Sequence, residues 1–115
     1  MIKHIVLWKL KESSEGKSKA ENIQIMKSML EGLPAKTGGC IRTLEVGVNL
    51  KDSAESADIT LYSEFNSLED LERYTKHPEH MKVAEFIGKV RSERRVMDYS
   101  VYDCFLRPNG FPACQ

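Results

Sequence analysis

The stretch ADITLYSEFNSLEDLERYTKHPEHMKVAEFIGKV, residues 57–90, carries a strand, a capped helix and a second helix in one run. From Ala57 to Phe65 the residues alternate. Ile59, Leu61 and Phe65 fall on one side and Asp58, Thr60, Tyr62 and Glu64 on the other, the period of a strand with one buried face. Ser67-Leu68-Glu69-Asp70 then resembles a capping box, with Asp in place of the usual Glu. It starts a helix from Leu68 to about Lys76 that presents Leu68, Leu71 and Tyr74. Pro78 interrupts this helix and suits the first position of a new one, because its missing N–H is not needed there. The new segment carries Val83, Phe86, Ile87 and Val90 at i, i+3, i+4 and i+7, an apolar stripe of helical period.

Working outward, Ile2–Leu10 is rich in β-branched and aromatic residues and reads as a strand. The polar stretch with Ser13, Ser14 and Gly16 is expected to begin a helix whose stripe is Ile23, Met26, Leu30 and Leu33. Gly32 and Pro34 end that helix, and Thr37-Gly38-Gly39 makes a turn. Cys40–Val48 reads as a second strand, Asn49–Ser56 as a loop and Val96–Phe105 as a final strand. The order β-α-β-β-α-β predicts an α+β fold of the ferredoxin-like type, an antiparallel sheet with both helices on one face. The first strand is apolar on both sides, with Ile2, Val6, Trp8 and Leu10 against Ile5 and Leu7. In the last, Met97, Tyr99, Val101 and Phe105 oppose Val96, Tyr102 and Cys104. A sheet covered by helices on one face only would expose the other, so a second copy is expected to cover it. The chain is therefore expected to be a homodimer.

The 115 residues fit one domain, and 41% apolar with 30% charged residues describes a globular chain. We place the domain at 1–105 and an irregular tail at 106–115. Lys plus Arg equals Asp plus Glu, 17 against 17, so no basic excess recommends nucleic acid as a partner. No apolar run is long enough to span a membrane, and Lys3, His4 and Lys9 interrupt the start as a secretory signal. Cys40, Cys104 and Cys114 are odd in number and form no CxxC pair. Reduced thiols in a cytoplasmic protein are expected.

His77-Pro78-Glu79 is a sound helix start on local grounds alone. His80 projects toward the same side as Val83, Ala84 and Ile87. It is either a core histidine with its hydrogen bonds satisfied or an acid–base group paired with Tyr74. His4 shares a strand face with Val6 and Trp8. His77 and His80, three apart, with His4 as a third, could chelate zinc or iron, but no acidic ligand has recognisable spacing; no metal and no cofactor are expected. Lys89, Arg91, Arg94 and Arg95 read as cations complementing a helix C-terminus, with an anion site as the second reading.

The opening MIKHIVLWKLK, the passage Asp58–Ser67, the run Tyr74–His80 and the closing Asp98-Tyr99 resemble the stress-responsive dimeric α/β-barrel (Dabb) domain family, over roughly Met1–Tyr102. The resemblance implies two ferredoxin-like subunits whose sheets meet in a barrel. Some plant members are polyketide cyclases whose tyrosine and second histidine act on the bound substrate. Carried over, those roles fall on Tyr74 and His80, with His4 and His77 as pocket neighbours; Trp8 and Phe86 are further expected to bind the ligand. Ile59 stands about where those cyclases carry a further pocket histidine. The expected function is binding of a small apolar organic ligand between sheet and helices. The alternatives are a cyclase or lyase acting on a carbonyl substrate, with His80 as base, and a structural stress protein without a ligand. A monooxygenase follows from fold analogy only.

Overall fold

A computed structural model describes residues 1–101. Four strands, β1 (Ile2–Leu10), β4 (Thr43–Val48), β5 (Ile59–Phe65) and β6 (Arg91–Ser100), form one sheet in the order β4-β5-β1-β6. Every neighbouring pair is antiparallel. Helices α1 (Lys19–Glu31), α2 (Leu33–Lys36), α3 (Leu68–Lys76) and α4 (Pro78–Val90) complete the β-α-β-β-α-β plan, so the fold is ferredoxin-like.

The alternation of β1 and β5 sets the layers. His4, Val6, Trp8 and Leu10 are buried, as are Ile59, Leu61, Ser63 and Phe65. They meet Met26 and Leu30 of α1, Leu71 and Tyr74 of α3, and Val83, Ile87 and Val90 of α4 in one core. Ser67 caps α3 by accepting the Asp70 N–H at 3.1 Å. His77 is both the last cap of α3 and the first of α4. Its backbone is extended, as a residue before proline prefers, and its Nδ1 accepts the Glu79 N–H at 3.1 Å.

Three boundaries differ from the sequence expectation. Ser13–Ser14 (β2) and Lys17–Ser18 (β3) form a short hairpin rather than a helix start. Glu15 and Gly16 take φ of 54° and 73° at its turn, and α1 begins one residue after Ser18, which supplies a full capping box. Cys40 lies before β4 and is buried with a free thiol; Cys104 and Cys114 lie outside the described residues.

The third difference bears on function. The last strand starts at Arg91, directly after α4, and not at Val96. Its partner fixes it: β6 pairs along β1 from Ile2↔Ser100 to Leu10↔Arg91, with one irregularity at Lys9/Leu10. Arg91, Glu93, Arg94 and Arg95 hid this strand, because charges lower β-propensity on average, but an exposed edge strand accepts them readily. Tyr102, Cys104 and Phe105 of the expected strand lie outside the described residues.

Candidate functional site

Between β1 and α4 lies a cavity of about 260 Å³. Its apolar wall comes from both layers, with Val6 and Leu61 facing Leu30, Val83 and Ile87, and its polar groups are His4, Trp8, Tyr74, His80, Arg91 and Arg94. Four of the six residues singled out from sequence therefore border one space. Two do not. His77 is occupied in capping α4, and Phe86 is half-buried against the core away from the cavity. The i, i+3 spacing explains the separation: His77 precedes the helix with an extended backbone, whereas His80 stands on its first turn. His77, expected as a pocket neighbour, and Phe86, expected to bind ligand, thus lie outside the lining of this cavity. Among the described residues no group of three His, Cys, Asp or Glu side chains is gathered to hold a metal ion.

The polar groups are arranged unusually for a core. Trp8 Nε1, Tyr74 OH and His80 Nδ1 are all buried without a hydrogen-bond partner among the described residues. Buried polar atoms ordinarily find partners, since each one left unmet costs about 1–3 kcal/mol. Here three such atoms belong to residues around one cavity. The Tyr74 and His80 rings pack edge to face with centroids 4.5 Å apart, and His4 lies 6.4 Å from Tyr74. Burial pushes the Tyr74 hydroxyl up, so it remains a neutral phenol able to donate. Burial also lowers His80, with the Thr75 backbone pulling the other way and the charges of His4 and Arg94 adding to the lowering. Its imidazole is accordingly neutral and basic at pH 7.

His4 is held from the far side. In the β1–β6 register His4 stands opposite Asp98, and its Nδ1 donates to the Asp98 carboxylate. Ser63 on β5 donates to the His4 carbonyl at 3.2 Å. With Nδ1 engaged, Nε2 is the nitrogen left for a ligand. Sequence reasoning gave Asp98 no role and read Arg91 and Arg94 as helix-end cations. The pairing of β6 with β1 sets Arg94 opposite Trp8 and Asp98 opposite His4, on the helix-covered side of the sheet.

Gly88 borders the same cavity, and a Cβ built on it would meet nothing within 4 Å. Alanine is the better helix former there by about 0.5–1 kcal/mol. Gly88→Ala is expected to raise stability by about that amount in urea unfolding, with the extra methyl standing in open space.

A family model described as the stress responsive A/B barrel domain, Dabb, matches residues 2–101. The chain is similar to a solved dimeric protein of unknown function with a ferredoxin-like fold from Bacteroides fragilis, at 37% identity over 87% of this chain and 95% of that one, with a TM-score of 0.76. A dimeric ferredoxin-like protein from Thermobifida fusca shares the fold at 18% identity, 87% and 90% coverage and a TM-score of 0.75. So does the hydroxynitrile lyase of Passiflora edulis, at 20% identity, 90% and 95% coverage and a TM-score of 0.71. No curated protein matches the sequence. No helix among the described residues is long and apolar enough to cross a membrane. The match over residues 2–101, on a ferredoxin-like subunit with the expected sheet order, makes this chain a member of the stress responsive A/B barrel domain family.

Proposed function

We propose that the protein is a homodimer that binds a compact organic molecule in the cavity between β1 and α4. The ligand is largely apolar and carries a carbonyl or hydroxyl group that meets Tyr74 and His80. One observation carries this reading: Trp8 Nε1, Tyr74 OH and His80 Nδ1 are buried without partners among the described residues, and all three residues border one space. A protein that filled its own interior would have paired them. The volume, about 260 Å³, lies just under the ~300 Å³ at which drug-sized ligand sites begin, which suits a molecule of one ring or a short chain. Trp8 is the only tryptophan of the chain and lines the cavity, so its fluorescence reports occupancy. Titration with 4-hydroxyacetophenone is expected to change that fluorescence saturably. If neither it nor other one-ring ketones and phenols bind, the reading is wrong.

A lyase or cyclase is the second reading, favoured by the neutral His80 beside a Tyr74 phenol. His80 would take a proton α to a carbonyl while Tyr74 donates to the developing enolate oxygen. His4, fixed by Asp98, would orient the same oxygen. The likeness in fold to a hydroxynitrile lyase is consistent with such chemistry. Exchange of the methyl protons of 4-hydroxyacetophenone in deuterated buffer, followed by NMR, tests it. Because His80 titrates below its ordinary 6.5, the exchange rate should stay level down through pH 6.5 and fall only at more acid pH. The sign for stability is the same. A histidine whose folded pKa lies below the unfolded one resists protonation in the native state, so stability is lost as pH falls below 6.5.

A further inference from the structure

Two arginines in the wall of this cavity need a reason. Arg91 and Arg94 line it, and among the described residues no aspartate or glutamate does. The two ordinary employments of such residues are already filled by others. The carbonyls at the end of α4 have their donors: Lys89 O accepts Lys11 Nζ and Ser14 Oγ, both at 2.9 Å, and Val90 O accepts the Lys11 N–H at 2.9 Å. Ile87 O takes the backbone N–H of Arg91. The nearest acid along the strand, Glu93, lies within salt-bridge distance of Lys9 and of Arg95, each at 3.9 Å, and Asp98 is engaged by His4. Among the described residues neither the Arg91 nor the Arg94 guanidinium takes part in an ion pair.

We infer that the ligand is a carboxylic acid, with its carboxylate seated on Arg91 and Arg94 and its neutral polar group at Tyr74 and His80. This rests on the cavity reading above and adds the charge of the ligand. The guanidinium fork matches a planar carboxylate with two parallel N–H···O bonds, and these are stronger beside an apolar wall than in open water. His80 has no charge of its own to offer at pH 7, so the arginines are the cations available on this side of the cavity. The two ends of the site thus differ: a charged one at the start of β6, and a neutral, buried one between α3 and α4.

The test compares 4-hydroxybenzoate with 4-hydroxybenzamide, which differ in charge and little in shape, by Trp8 fluorescence on the wild-type protein and on the Arg91→Gln/Arg94→Gln double variant. The wild type is expected to bind the acid about tenfold to a hundredfold more tightly than the amide, the size of a charged hydrogen bond. That preference should shrink with added salt and vanish in the double variant. Both arginines are exposed on an edge strand, so the variant should fold, and an unchanged circular dichroism spectrum and urea midpoint verify that it does. Equal affinity for acid and amide, or acid binding undiminished in the variant, overturns the carboxylate while ketone binding upholds the cavity. Failure of all three compounds to bind removes both readings.

Discussion

His80→Ala is expected to reduce proton exchange from a bound ketone by about 10²–10⁴-fold, the range a positioned general base contributes, with little change in stability. The two halves of this expectation have separate origins. The loss follows from removing the one neutral imidazole next to the Tyr74 hydroxyl. The small stability effect follows from what His80 does not do: among the described residues its Nδ1 has no partner, and neither does Tyr74 OH, so no hydrogen bond between them is broken. A core histidine with satisfied nitrogens would behave oppositely, because its removal would orphan a buried partner at about 1–3 kcal/mol. Tyr74→Phe sharpens the contrast. The ring is fully buried and packed against Phe65 at 5.2 Å, and phenylalanine keeps that packing while deleting an unmet hydroxyl. It should leave stability unchanged or raise it by about 1 kcal/mol, yet weaken ligand binding. Urea unfolding and Trp8 titration on the two variants decide the matter. A destabilised His80→Ala that still binds ketone as the wild type does would remove His80 from the site.

The sequence showed most of the fold because its signals were local. Alternation from Ile59 to Phe65, the Ser67 cap and the Pro78 break each act within a few residues, and the helices lie where those signals put them. Two features depended on partners distant in the chain, and a third on a locally unfavourable backbone. Arg91–Arg95 reads as helix-end charge until β1 is seen to pair along it. Asp98 has meaning only opposite His4, ninety-four residues away. Ser13–Ser18 forms a hairpin despite Glu15 at positive φ, a conformation that no local preference of glutamate would forecast. For the cavity, periodicity could place His80 on an inward helix face and His4 beside Trp8 on one strand face, without deciding whether that face met the helices or a second sheet. It could not separate His77 from His80, since the division depends on where the backbone stops being extended at Pro78.

Substituting lysine for Leu7 and Met97 together is expected to turn the protein into a monomer at micromolar concentration. Both residues stand on the sheet face away from the helices, on adjacent strands, and they are 43% and 63% exposed in the single subunit. Ile5 lies opposite Met97, and Tyr99 continues the face at 36% exposed. An antiparallel sheet can leave one face to water, but then that face is polar. This one carries a contiguous apolar band along β1 and β6, of the kind that marks an interface. A polar surround is present too, where Lys3 sits 5.7 Å from the centre of the Tyr62 ring and the Tyr62 hydroxyl donates to Glu64. An apolar centre with a polar margin is the anatomy of a specific contact. A two-fold axis through it would bring each Leu7 and Met97 against the partner's copy of the same face, so each substitution places like charges across the interface twice. In the isolated subunit the same lysines point to solvent and cost little. Light scattering should therefore show the mass halved, with circular dichroism unchanged. If folding requires the dimer, the wild-type melting temperature will instead rise with protein concentration and the double variant will be unfolded, which also places the interface here. A double variant that stays dimeric with the wild-type melting profile would show that the copies meet elsewhere.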